Sequence, residues 1–311
     1  MKVLVIGGHG FIGSHVTSKL NQIGYEPISV SRQNGTDLFI LESIKDCLNK
    51  YQPKVIINCA ANVGSVNYVS KYSADVIYSN VQMSINLYNA VASISPKIKI
   101  INPLSNCSYP GNSDFQKETE WQLGDVHNSV FSYGNSKRII YLIGKCYRDQ
   151  YGVISSNFLI PNTFGPGDSL DPNKTHALNG IIVRMINAKI NKDQQFEIWG
   201  TGKPIREWAY VDDVVNILIE GITTEQDLLY PINLAQNKGF SIKDSAELIK
   251  KALKYNGQLY FNTKYQDGAP VKILDNNLFN KKFPNFKFYD HYKGLEKTIN
   301  YYKSQIKSKD K

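Results

Sequence analysis

The sequence predicts an α/β chain, a doubly wound parallel sheet with a smaller, mixed C-terminal part. Three observations carry this. The apolar run Lys2–Ile6 leads straight into a glycine-rich turn, Gly7-Gly8-His9-Gly10-Phe11-Ile12-Gly13. Short apolar runs then alternate with longer stretches of helical periodicity as far as Ile160, which is the pattern of βαβ units. After Ile160 that alternation gives way to turn-rich segments.

Taken in order, Lys2–Ile6 (KVLVI) is short and apolar enough for a strand buried on both faces. Gly7, Gly10 and Gly13 make a GxxGxxG. The first glycine permits the tight turn, the second lets a pyrophosphate approach the backbone, and the third lets the following helix pack on the strand. That helix spans roughly 11–23, with Ile12, Val16 and Leu20 on one face. Its N-terminus offers unpaired N–H groups and a positive dipole end to phosphates, so Gly7, Gly10, Phe11, Ile12 and Gly13 are expected to line a dinucleotide site of the Rossmann type. A second strand, Pro27–Val30, ends in Ser31-Arg32. An acidic residue there would take the ribose 2′-OH of NAD, whereas Arg accommodates a 2′-phosphate. Ser31 and Arg32 therefore favour NADP(H) over NAD(H).

A third strand, Val55–Asn58, precedes the small residues Ala60 and Ala61, which let the backbone sit against a cofactor. A long helix is expected near 74–93 and contains Asn80, a further cofactor candidate. The fourth strand, Ile98–Asn102, leads to Ser105-Asn106-Cys107-Ser108-Tyr109-Pro110, and the fifth is expected over 153–160. Ligands of doubly wound sheets sit at the carboxyl ends of the strands, which places Ser105 beside the site. Beyond Ile160 come a helix near 178–188, the segment Ile198–Asp213, a helix for which Asp212 or Asp213 is a candidate cap, a strand near 232–234, and a helix from Ser241.

Within Phe131–Lys137, Tyr133 and Lys137 stand four residues apart, on one face of a helix. A free phenol titrates near ~10, and a neighbouring ammonium is expected to lower that value by stabilising the phenolate. The pair is thus suited to moving a proton to or from an alcohol or carbonyl oxygen.

Composition bounds the rest. At 311 residues the chain fits one large or two medium domains, and 42% hydrophobic with 20% charged residues excludes a disordered chain. No apolar run approaches the ~20 residues that span a bilayer, and a strand from Lys2 leaves no room for a signal peptide. The net charge is +9, but the basic residues are dispersed except in the tail Lys303, Lys307, Lys309 and Lys311, expected to be solvated and partly frayed. Without a nucleic-acid motif, that charge points to phosphorylated metabolites. Cys47, Cys59, Cys107 and Cys146 lack metal-ligand spacing and read as reduced thiols of a cytoplasmic protein with no metal.

Together these pieces resemble the extended short-chain dehydrogenase/reductase family of nucleotide-sugar enzymes, and within it the GDP-L-fucose synthase branch, over nearly the whole chain. The broad marks are the GxxGxxG, the Ser105/Tyr133/Lys137 set and Arg206–Asp213. The narrower ones are Ala61–Val66 (ANVGSV), Ser105–Pro110 (SNCSYP), Thr175-His176 before a helix, and Asp267–Lys272 (DGAPVK). The branch carries Ser at the place of Asn106 and Arg at the places of His9 and Val271.

The resemblance implies reduction of the 4-keto group of a nucleotide-linked 4-keto-6-deoxy-hexose for surface-glycan precursors. Ser105, Tyr133 and Lys137 would carry the reduction, with Tyr133 and Lys137 also binding the cofactor, and Cys107 and His176 would serve as acid and base for 3,5-epimerisation. Expected substrate contacts are Asn162, Arg184, Trp199, Arg206 and Asp267. The resemblance further implies a homodimer through the two long helices. It divides the chain into a dinucleotide part, 1–160 with about 208–235, and a substrate part, 161–207 with 236–311. The base (GDP, dTDP or CDP) stays open. So does an NAD-retaining 4-epimerase, which needs the same Ser/Tyr/Lys set, and so does a non-catalytic NADP-binding protein.

Overall fold

In the computed structural model, residues 1–113, 115–171, 174–225 and 228–309 are described. The strands are β1 (Lys2–Ile6), β2 (Glu26–Val30), β3 (Val55–Asn58), β4 (Lys99–Ser105), β5 (Ser155–Ile160), β6 (Asn162–Phe164), β7 (Gln195–Trp199), β8 (Ile205–Tyr210), β9 (Ile232–Asn233), β10 (Gly239–Ser241), β11 (Gln258–Asn262) and β12 (Val271–Lys272). The α-helices are α1 (Phe11–Gln22), α2 (Leu41–Tyr51), α3 (Val66–Lys71), α4 (Ser73–Ile94), α5 (Phe131–Tyr151), α6 (Ala177–Ile190), α7 (Val211–Thr223), α8 (Ile242–Leu253), α9 (Asn277–Lys282) and α10 (His291–Lys309).

Six strands form one sheet in the order β2-β1-β3-β4-β5-β9, parallel throughout. Alternation along each strand divides its side chains between two cores. Val3, Val5, Val55 and Ile57 pack on the side of α1 and α7 with Val16, Leu20, Val214 and Ile217. Leu4, Ile6, Ile56 and Ile100 pack on the other side with Ile44 and Leu48 of α2 and Leu87 and Val91 of α4. Burial on both faces explains why these strands read as unbroken apolar runs. A second sheet, β10-β8-β12 with β6 on β8, and the pair β11-β7 lie after Ile160 in sequence.

Two expectations need correction. The fourth strand does not stop at Asn102 but runs to Ser105, through Pro103. Ile100 N–H points to the β5 side and Lys99 N–H to the β3 side, so Pro103, an odd position, faces β3. The β3 register ends at Ile101, and the missing N–H therefore breaks no ladder bond. The C-terminal tail is not frayed from Lys303. α10 continues to Lys309, anchored by fully buried Tyr302, whose hydroxyl donates to Asp168 O at 3.3 Å. Lys311 lies outside the described residues. No helix among the described residues is long and apolar enough to cross a membrane.

Candidate active site

At the β1–α1 turn, Gly7 has φ +72°, and a Cβ there would come within 2.9 Å of Ala60 N. A Cβ on Gly13 would stand 2.2 Å from Gly7 O, so α1 can start where it does only with glycine at that place. Gly10 caps α1 without a side-chain hydrogen bond and the first turn holds no acidic residue, which leaves its first N–H groups for an anion. At the end of β2, Ser31 Oγ is buried without a hydrogen-bond partner among the described residues, and Arg32 is exposed. The turn, the orphan hydroxyl and the arginine fit a dinucleotide carrying a 2′-phosphate. Half-buried Ala60 and Ala61 flank the turn. Asn80 does not face it. Its amide accepts from Asn62 N (2.8 Å) and donates to Asn62 O (3.0 Å) and Val76 O (2.9 Å), so it braces the loop after Ala61.

The continuation of β4 delivers Ser105 to the sheet's carboxyl edge. Ser105 Oγ accepts Cys107 N–H at 3.1 Å in a tight 3-10 turn. Arg138 holds the chain beyond that turn by donating to Ser108 O, Gly124 O and Trp121 O. α5 brings in Tyr133 and Lys137, and Gly134 makes the approach possible, since a Cβ there would stand 2.3 Å from Cys107 O. Lys137 Nζ donates to Pro103 O at 3.2 Å, the carbonyl left beyond the end of β3, and lies 5.5 Å from the Tyr133 ring centroid.

Electrostatics here departs from the expectation for Tyr133. Desolvation and the Cys107 charge push the phenol up, against the pull of the Ser105 hydroxyl, so it stands above rather than below its ordinary value. Burial also lowers Lys137 to about 8, with Cys59 and Cys107 pulling the other way. Tyr133 is therefore held as the neutral acid, the form that donates a proton.

One neighbour was not singled out from the sequence beyond its DGAPVK context. β12 pairs with β8 in parallel and sets Lys272 beside Arg206, with Lys272 Nζ 3.2 Å from Cys107 Sγ. Burial pushes the Cys107 thiol up, but Lys272's charge, hydrogen bonds from Ser105 and Lys272, and Arg206 bring it below its ordinary value. Cys107 thus sits in the field of two cations rather than among apolar groups alone. Arg206 is buried, not in a surface ion pair, and donates Nη1 to Ile205 O at 2.7 Å. Fully buried Glu207 fixes this corner by accepting Leu274 N–H at 2.9 Å and Gln236 N–H at 2.5 Å.

His176 is the residue before α6. Asp168 Oδ2 accepts from its Nδ1 (3.0 Å) and its backbone N–H (2.8 Å), and from Asn179 Nδ2 (2.9 Å). The ring lies 5.7 Å from that of Phe11, on the cofactor helix. Among the described residues no hydrogen bond or ring contact joins His176 to Cys107.

The remaining substrate candidates are dispersed. Arg184 stacks on Trp199 (4.4 Å) and donates to Glu197 O (3.1 Å), and Trp199 stacks on Tyr265 (5.1 Å). Asp267 accepts from Thr201 N (3.0 Å) and Oγ1 (2.6 Å), so it ties the two loops together rather than standing free for a ligand. Asn162 opens β6, half-buried and opposite Trp208. Asp213 does not cap α7, whose preceding residue is Tyr210, but accepts Tyr289 N–H at 2.7 Å.

Known proteins share this fold. The chain is 27% identical over 277 residues to a probable GDP-L-fucose synthase 1 of Oryza sativa subsp. japonica, covering 89% of this chain and 84% of that one. A GDP-6-OMe-4-keto-L-xylo-heptose reductase from C. jejuni has the same fold at TM-score 0.88, with 22% identity and 98% of each chain covered. A GDP-L-fucose synthetase from Naegleria fowleri bound to NADP gives 0.86 at 24% identity, covering 99% of this chain and 95% of that one. The model of the NAD dependent epimerase/dehydratase family matches residues 3–230. That span opens in β1 and closes just before β9, taking in the whole glycine turn and every member of the Ser105/Tyr133/Lys137 set, and the chain belongs to this family.

Proposed function

We propose that the protein reduces the 4-keto group of a nucleotide-linked 4-keto-6-deoxy-hexose with NADPH and epimerises the same sugar at C3 and C5. The observation that carries the epimerase half is the Lys272–Cys107 contact of 3.2 Å beside the Ser105/Tyr133/Lys137 set. A cofactor-retaining 4-epimerase has no use for a thiol tuned in this way. Relatives named as GDP-L-fucose synthases and a GDP-heptose reductase support the sugar class. The NADP-bound relative and the Ser31-Arg32 end of β2 support the cofactor.

NADPH, when bound on the glycine turn, supplies the hydride that C4 receives. Ser105 holds the carbonyl oxygen, and Tyr133 transfers its phenolic proton to that oxygen as negative charge develops there. Lys137, as an ammonium, stabilises the phenolate left behind. In the epimerisation, the Cys107 thiolate removes a proton next to the ketone, and Ser105 and Tyr133 hold the enolate oxygen. His176, oriented by Asp168, returns a proton from the opposite face. We place the protein in the cytoplasm and propose a homodimer through α4 and α5.

The test is NADPH oxidation by the purified protein with 4-keto-6-deoxy-hexoses on GDP, dTDP and CDP, with product NMR in heavy water. Stoichiometric NADPH loss with deuterium at C3 and C5 is the expected result. Interconversion of C4 epimers without added cofactor would overturn this reading in favour of the NAD-retaining epimerase.

A further inference from the structure

The segment before α5 carries polar groups that the reaction above does not use. His127 Nδ1 accepts the backbone N–H of Ser129 at 3.2 Å and lies 2.8 Å from Ser129 Oγ. An acceptor at Nδ1 fixes the tautomer, so the proton of the neutral ring sits on Nε2. Among the described residues no hydrogen bond is made by that Nε2–H. Ser129 approaches Arg206 across Gly268. A Cβ on Gly268 would stand 3.2 Å from Arg206 Nη2 and 3.8 Å from Ser129 Oγ, and with glycine there the gap stays open. Burial, then Lys272 and then Arg206 hold the ring below its ordinary pKa, which locates both cations in its field. The nearby carboxylate, Asp267, is engaged by Thr201.

We propose that His127 and Ser129 form, with Arg206 and Lys272, an anion-binding wall of the substrate site, where the His127 Nε2–H donates to a diphosphate oxygen of the nucleotide sugar. This rests on the nucleotide-sugar reading above and adds residues to it. The chemistry favours a histidine. A third fixed cation beside Arg206 and Lys272 would be repelled in the empty site, where a low dielectric magnifies like-charge contacts. A neutral donor adds a hydrogen bond to the anion without that penalty. Gly268 keeps the space between Ser129 and Arg206 clear for the phosphate oxygens.

GDP, dTDP and CDP binding by titration calorimetry tests this independently of turnover. His127→Asn separates the two roles of the ring, because Asn Oδ1 can still accept the Ser129 N–H while the Nε2 donor is lost. The expected result is nucleoside-diphosphate affinity lower by about 10-fold or more, an unchanged melting temperature, and a raised KM with kcat altered by less than about threefold. Gly268→Val gives a second arm. It plugs the gap without touching His127, and the same affinity loss is expected. Wild-type affinity in both variants overturns the anion wall and leaves the reductase reading standing. A wild-type protein that binds none of the three nucleotides overturns both.

Discussion

Lys272 Nζ stands 3.2 Å from Cys107 Sγ, a contact that joins a two-residue strand near the C-terminus to the turn after β4. It makes Cys107 acidic through an ammonium delivered by the register of β12 on β8 rather than through any residue near Cys107 in sequence. Lys272→Met removes that charge with little change in volume. The Cys107 thiolate fraction at neutral pH should fall. The check is the rate of iodoacetamide labelling of the Cys107 peptide, read by mass spectrometry. An unchanged rate would mean that Ser105 and Arg206 set the thiol without Lys272.

Burial brings Lys137 to about 8, which gives the reaction a pH limit. The group works as an ammonium, so ketoreduction should decline as pH rises through about 8. Because kcat/KM reports groups of the free enzyme, that is the parameter to profile, between pH 6 and 10 with NADPH saturating. Alkaline loss only near the ordinary lysine value would show that the site is wetter than its packing.

Asp168 offers a stability test with a definite sign. Burial raises its carboxyl, but the His176 ring, the His176 N–H and Asn179 together bring it down to about 2. A carboxyl depressed in the folded state contributes stability that is complete above its unfolded value near ~3.9 and is lost as pH falls through about 2. Asp168→Asn should therefore lower unfolding free energy by about 2–3 kcal/mol at pH 7, with the gap to wild type closing between pH 4 and 2. Urea titrations at several pH values measure this. The same variant should lose deuterium incorporation at C3 or C5 more than NADPH oxidation, since Asp168 positions His176 and touches none of the reducing set.

The doubly wound sheet was legible because strands buried on both faces leave unbroken apolar runs, and because a glycine turn between strand and helix has few other uses. Ser105 follows from where such sheets bind ligands, and Tyr133 and Lys137 from their four-residue spacing on one helix face. Lys272 does not, because its role depends on a parallel pairing of strands distant in sequence, at Val271↔Ile205 and Lys272↔Arg206. The rise of Tyr133 was equally hidden, since spacing places an ammonium near a phenol but says nothing of the water removed from both. Nor did the apolar pattern foretell the polar ladder inside the sheet, where Asn58 donates to Asn102 (3.3 Å) and Asn102 to Asn157 (3.0 Å) and Tyr88 (2.9 Å). Asn80 and Asp267 are ligand candidates by sequence, yet their polar atoms meet backbone and Thr201.

The proposed dimer has a local signature. On α4, Tyr78 (61% exposed) and Ile85 (38%) lie seven residues apart on one face, and on α5 Leu142 (46%) and Phe131 (51%) share another. Exposed apolar groups so aligned on neighbouring helices are what the proposed dimer would bury. Leu142→Glu should convert a dimer to a monomer in sedimentation velocity while leaving the far-ultraviolet spectrum unchanged. A wild-type protein that sediments as a monomer at micromolar concentration would remove the dimer altogether.

Gly134 sits between Tyr133 and the Cys107 carbonyl, and the site tolerates no methyl there. The added Cβ of Gly134→Ala would stand 2.3 Å from Cys107 O and 3.2 Å from Val126 Cγ1. One contact is backbone, so the helix must move and cannot simply turn a side chain. Alanine favours the helix by about 1 kcal/mol over glycine, whereas forcing a methyl into a packed contact costs about 1–3 kcal/mol, so net destabilisation is expected. The displacement carries Tyr133 away from Ser105, and the rate should therefore fall further than stability does. A variant with wild-type kcat would place the proton donor elsewhere than on this turn of α5.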